Sequence, residues 1–135
     1  MDLAAIGPFL TAYLVLVGLM LGSFINLTAD RLPRRESLVS PRSHCRSCGR
    51  QLNVVDLLPV LGYALRGGRC ATCRSPIGAS APIVEFVAGA FMLLPIVWLG
   101  LWPGAVAGLA LVTVLGLAVT RFAISRHRPE SEALV

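Results

Sequence analysis

The sequence predicts an all-α membrane protein: about three transmembrane helices, with a zinc-knuckle loop on the cytoplasmic side between the first and second. Three observations carry that expectation. Of the 135 residues, 56% are hydrophobic and only 14% are charged, against roughly 25% charged in a soluble domain, and the mean hydropathy is +0.75. The apolar residues fall into three long runs rather than being spread through the chain. All 12 basic residues of the Lys+Arg class are arginine, and they avoid two of the four segments that flank those runs.

The first run, GPFLTAYLVLVGLMLGSFINLTA at 7–29, holds 23 residues without a charge, and roughly 20 suffice to span a bilayer. A cleaved signal peptide would need a basic start and an apolar core of about 7–15 residues. Asp2 is the only early charge and the run is too long, so 1–29 reads as a retained helix. The second run, PIVEFVAGAFMLLPIVWLGLW at 82–102, carries one charge, Glu85. The third, at 103–120, carries none. Gly and Pro punctuate GLWPG at 100–104, and Trp98 and Trp102 suit a membrane interface. Residues 82–120 therefore read as a transmembrane hairpin, followed by a tail at 121–135 that is polar and expected to fray from 125 onward.

Nine arginines lie in the 30–81 loop and three in the tail, whereas the N-terminus and the hairpin turn have none. The positive-inside rule then places the N-terminus outside, with the loop and tail cytoplasmic. Within the loop, LNVVDLLPVLGYAL at 52–65 is apolar but too short to span. Pro59 and Gly62 break any long helix. A short helix or turn, against the knuckles or at the membrane surface, is expected there.

The four cysteines form two CxxC pairs, Cys45/Cys48 and Cys70/Cys73, separated by 21 residues. Zinc takes four thiolates in a tetrahedron, and a CxxC turn offers two of them. Gly49 and Gly78 follow the knuckles as turn candidates. Arg46, Arg50, Arg69 and Arg74 flank the ligands and favour thiolate. Disulfides and free thiols are the alternatives, and a cytosolic location disfavours the first. Four sulfurs leave no open coordination position, so a zinc ion here is structural, with His44 a bystander. The charge on the loop follows from positive-inside, so nucleic acid is not an expected partner.

Glu85, near the start of the second helix, needs a partner, and Arg31 at the end of the first is a candidate for an ion pair. Asn26 calls for a hydrogen bond between helices, and the GxxxG pairs Gly18/Gly22 and Gly104/Gly108 permit close helix approach. Gly67 and Gly68 read as a turn aiming the second knuckle, or as a backbone cradle for a small ligand.

Several of these segments resemble one family. GSFINLTADRLPR at 22–34, ESLVSPRSHCRSCGRQL at 36–52, DLLPVLGYALRGGRC at 56–70, CRSPIG at 73–78 and IVEFVAG at 83–89 are similar to the N-terminal part of prepilin peptidases. These are the bifunctional leader peptidase/N-methyltransferases of type IV pilus and type II secretion systems. The resemblance implies that the cysteine loop serves the methyl-transfer half, with S-adenosylmethionine as cofactor. Glu85, Gly67, Gly68 and Asp56 become candidate donor- or substrate-binding residues, and prepilin-like precursors become candidate substrates.

Two departures matter. The family's first catalytic aspartate belongs to a helix similar to 111–130, which here reads Thr120, Arg121, Phe122 with no acid, and no GxGD motif follows within the 135 residues. Ser80-Ala81-Pro82 stands where the family commonly has Arg-Tyr-Pro. An aspartic protease needs two carboxylates close enough to share a proton, and Asp2, Asp30 and Asp56 do not occupy those positions. The expectation is a prepilin-peptidase-like N-terminal module, implicated in processing or N-methylation of pilin-like precursors, that lacks the catalytic aspartates. One alternative is a partner subunit of a split prepilin peptidase, acting with a separate GxGD membrane peptidase. The other is a non-enzymatic, zinc-stabilised scaffold.

Overall fold

The computed structural model describes residues 3–126. Asp2 and the tail from His127 onward, including Arg128, lie outside the described residues. Among the described residues four α-helices occur in the order α1 (Leu3–Arg31), α2 (Leu61–Leu65), α3 (Ser80–Leu99) and α4 (Leu101–Arg126), with a short 3-10 turn at Leu32–Arg34 after α1. Among the described residues there is no strand, only the isolated bridges His44 to Gln51 and Arg69 to Pro76. Three of the helices are long and apolar enough to cross a membrane. The expected all-α architecture with three membrane helices and a cysteine loop is the one observed.

The helix ends follow from local chemistry. Pro33, which has no N–H to continue an α-helical ladder, converts the end of α1 into a 3-10 turn. Arg35 closes that turn at φ 56°, donating its N–H to the Leu32 carbonyl at 3.1 Å. Pro82 sits in the first turn of α3, where no intrahelical bond is lost. The GLWPG turn is shorter than its sequence implied. Gly100 alone links α3 to α4 at φ +84°, and Trp102, Pro103 and Gly104 already belong to α4. In the loop, the expected short element is α2, whose Gly62 packs edge-on against the backbone of Val55 and Asp56.

Small residues let α3 lie against both neighbours. A Cβ on Gly22 would come within 2.6 Å of the Glu85 Cα. One on Gly104 would strike the Ile96 backbone. The GxxxG pairs are thus used within the chain: Gly18 and Gly22 join α1 to α3, and Gly104 and Gly108 join α4 to α3. Ala88, Met92 and Val112 are buried where the three helices meet. The outward faces remain apolar, with Phe9, Tyr13, Leu16, Met20 and Phe24 exposed along α1 and Phe86, Val97 and Trp98 along α3. Helices that are apolar on the outside as well as the inside are membrane spans.

Candidate metal centre and adjoining cavity

The two knuckles fold alike. In the first, the Cys45 N–H donates to the Arg50 carbonyl at 2.8 Å and the Gly49 N–H to the Cys45 carbonyl at 2.8 Å. In the second, the Cys70 N–H donates to Ser75 at 3.0 Å and the Arg74 N–H to Cys70 at 3.1 Å. Each reversal needs a left-handed residue directly after its second cysteine: Gly49 at φ +72° and Arg74 at φ 59°. The second knuckle therefore turns on Arg74, and Gly78, the residue expected to do so, is not among the positive-φ residues. The reason is register, because the reversal must follow Cys73 at once for Ser75 to reach back to Cys70.

The hairpins bring all four sulfurs within 4.8 Å of one another. Cys45 and Cys73 are 3.8 Å apart and Cys48 and Cys70 3.9 Å apart. Four thiolates at about 2.3 Å from a tetrahedral zinc lie about 3.8 Å from each other, whereas a disulfide needs about 2.05 Å. The set is positioned to bind one metal ion and is consistent with zinc. His44 is not in the cluster; its Nδ1 donates to the Arg42 carbonyl at 3.0 Å.

Backbone amides, more than arginines, tune the thiols. The N–H groups of Cys48 and Ser47, helped by the Ser75 hydroxyl, lower Cys45 to about 5. Those of Cys73 and Thr72 lower Cys70 below its ordinary value. The Arg50 N–H favours the Cys48 thiolate too, but desolvation and the three neighbouring thiols outweigh it and push Cys48 up to about 11. Four thiols sharing one space cannot all ionise without a cation between them. Of the flanking arginines, Arg46 is turned to Asp30 at 2.5 Å and Glu36 at 3.4 Å, and Arg50 is paired with Asp56.

Asp56 braces the loop. Its carboxylate accepts from Arg50, from Arg66 Nε at 2.7 Å and from the Asn53 N–H at 3.1 Å. Burial opposes ionisation, but the Asn53 N–H and the two guanidiniums hold the carboxyl below its ordinary value.

The expected ion pair between Glu85 and Arg31 is not formed. Arg31 donates to the carbonyls of Ser37 at 2.6 Å and Pro41 at 2.7 Å, because the chain after α1 curls around its guanidinium. Glu85 Oε2 accepts instead from the Val60 N–H at 2.6 Å. Gly67 and Gly68 have φ +58° and +67°, and their N–H groups are committed to Ala64 at 3.1 Å and Tyr63 at 3.0 Å. They form the turn that delivers the second knuckle, with no free amide left to cradle a ligand.

Between the knuckles and the ends of α1 and α3 lies a cavity of about 560 Å³, within the usual 300–1,000 Å³ of ligand pockets. It gathers Glu85, Asp56 and Cys70 and also five arginines: Arg31, Arg46, Arg50, Arg66 and Arg69. Arg69 is the one of these that makes no side-chain hydrogen bond among the described residues. Asn26, Ser23 and Tyr63 also line the cavity. No motif flagged them as a group, since their sequence positions are 23, 26, 63 and 69 and only folding brings them together. Ser75, which touches Cys73 at 3.1 Å, was legible only through the likeness of the two knuckles.

The family profile for the bacterial peptidase A24 N-terminal domain matches residues 16–99. Curated relatives named prepilin leader peptidase/N-methyltransferase are similar to the chain. The Myxococcus xanthus protein is 34% identical over 150 aligned residues, covering 87% of this chain and 45% of that protein. The Burkholderia pseudomallei protein is 36% identical over 104, covering 58% and 34%, and the Neisseria gonorrhoeae protein 26% identical over 148, covering 92% and 49%. The chain thus spans half or less of the length of these relatives. No solved structure matches it.

Proposed function

The chain belongs to the bacterial peptidase A24 N-terminal domain family, and on that premise we propose that it is the zinc-bearing membrane module of a prepilin-processing system, supporting N-methylation of pilin-like precursors of type IV pilus or type II secretion type. The observation that carries this reading is the arginine-lined cavity flanked on one side by the four-cysteine cluster and on the other by Glu85 and the end of α1.

Zinc held by Cys45, Cys48, Cys70 and Cys73 would be structural, since four thiolates fill a tetrahedral shell. It would fix the two hairpins and, through Arg50–Asp56–Arg66, the 53–66 segment that walls the cavity. S-adenosylmethionine, the methyl donor of the family, would occupy the cavity. Its size suits that ligand. Arg69 offers an uncommitted cation for the donor's carboxylate, and Tyr63 a flat ring beside it. Glu85 and Asp56 act through the walls, because their carboxylates are already committed to Val60, Arg50 and Arg66.

In this reading the cysteine loop is cytoplasmic, which the arginine distribution supports. Peptide-bond cleavage falls to a separate GxGD membrane peptidase, because Thr120, Arg121 and Phe122 stand where the family's first aspartate is expected. The test is equilibrium dialysis of purified chain in nanodiscs against labelled S-adenosylmethionine, with zinc content measured in parallel. Saturable binding weakened at least tenfold by Arg69→Ala supports the reading, and no binding by a zinc-loaded chain overturns it.

A scaffold role is the second reading, and one observation favours it: the amides of Gly67 and Gly68 and the carboxylates of Asp56 and Glu85 are all satisfied internally. It predicts that Cys48→Ser lowers stability while pilin methylation, reconstituted with a GxGD peptidase, proceeds unchanged.

A further inference from the structure

We propose that residues 54–65 form a wedge inserted into the bilayer interface on the cysteine-loop side, so that the loop is seated in lipid as well as tethered between helices. The segment reads VVDLLPVLGYAL and has one charge, Asp56. That charge is turned inward: its side chain is 6% exposed and held by Arg50 and Arg66. The apolar side chains go the other way. Val54 is 78% exposed, Leu61 60% and Leu65 69%, with Val55, Leu57 and Leu58 beside them. A loop standing in water would favour the opposite arrangement.

Two contacts fix its depth. Val60 is bonded to Glu85, five residues into α3 and hence about 7.5 Å along the helix from Ser80. α3 has 20 residues, about 30 Å, the thickness of the hydrocarbon core. Independently, Gly22 of α1 sits against the Glu85 Cα. Gly22 precedes the first charge after the apolar run, Asp30, by eight residues or about 12 Å of helix. Helical side chains lean toward the N-terminus, which returns some of that depth. Val60 still lies at or below the level at which α3 enters the membrane, the 5–10 Å zone occupied by interfacial elements.

Charge agrees with a phospholipid as occupant. Arg42, with no carboxylate partner among the described residues, shares a groove with Leu27, Val54 and Leu57. A guanidinium at the rim of an apolar groove suits a phosphate above acyl chains.

The test uses the full chain in nanodiscs, with Trp98→Phe and Trp102→Phe removing the native indoles. Leu61→Trp and Leu65→Trp are compared with Ser47→Trp at the exposed tip of the first knuckle. Lipids brominated near the headgroup end of their acyl chains should quench the first two roughly twofold, with blue-shifted emission, and leave the third unchanged. Equal, weak quenching at all three positions overturns the wedge. Should the Trp variants not reconstitute, the unaltered chain with a photoactivatable phospholipid decides. Lipid adducts on 54–65 support the proposal; adducts confined to α1, α3 and α4, or chain-to-chain links through 54–65, overturn it.

Discussion

The carboxylate of Glu85 accepts a 2.6 Å hydrogen bond from the backbone N–H of Val60, and Val60 stands at φ 60°, ψ −48°. A β-branched residue has no comfortable well there. The contact thus ties a transmembrane helix to the loop through a strained hinge, in place of the ion pair with Arg31 that the sequence suggested. Residues held in such regions cost about 1–3 kcal/mol and persist where their surroundings over-determine them.

Glu85→Ala should lower stability by about 1–3 kcal/mol, the cost of an amide left without its acceptor, and Glu85→Gln, which keeps an acceptor, by less than half of that. Val60→Gly should be neutral or stabilising, because relief of strain offsets about 0.5–1 kcal/mol of glycine entropy. Thermal unfolding in one detergent ranks the three. A Val60→Gly chain that melts well below the unaltered protein would show that the hinge is not strained.

Metal affinity should respond in opposite directions at the two equivalent knuckle positions. Gly49→Ala forces a Cβ into the left-handed region and should weaken zinc binding about fivefold, for about 1 kcal/mol. Arg74→Gly removes the same penalty and should tighten it by a similar factor. Competition against a chromophoric chelator measures both. Equal effects at the two sites would contradict the shared turn.

Asp56 should make the loop acid-sensitive only at low pH. Its folded pKa lies below the ordinary 3.8, so its contribution is complete above the unfolded value and is lost as pH falls through the folded one. Loop stability should therefore be flat with respect to this group from neutrality to about pH 4 and fall below it. Asp56→Asn should cost about 1–3 kcal/mol at pH 7 and abolish that low-pH component. Proteolysis of the loop across pH, comparing the two chains, is the readout.

Helix packing should be intolerant at the contact glycines alone. Gly22→Leu and Gly104→Leu push side chains into the backbones of Glu85 and Ile96 and should cost at least about 1–3 kcal/mol. Gly7→Ala, with nothing within 4 Å, should be neutral or slightly stabilising. Detergent-denaturation midpoints separate the two groups.

Sequence alone determined the membrane class, the three spans and the two cysteine pairs that come together as one cluster, because length, apolarity and CxxC spacing are local properties read directly from the chain. It also identified the family through contiguous motifs. Tertiary structure decided the partners. Glu85 found Val60 instead of Arg31, because the segment after α1 closed around Arg31 with two carbonyls. Arg74 rather than Gly78 turned the second knuckle, because hydrogen-bond register outweighs propensity. Gly67 and Gly68 became a turn with spent amides, and Asp56 a brace. The cavity, which draws Asn26 from α1, Tyr63 from α2, Arg69 from the loop after it and Glu85 from α3, had no sequence signature. Its existence depends on how deeply α1 and α3 approach through Gly18 and Gly22, and helix approach is set by packing across the fold, which no single segment encodes.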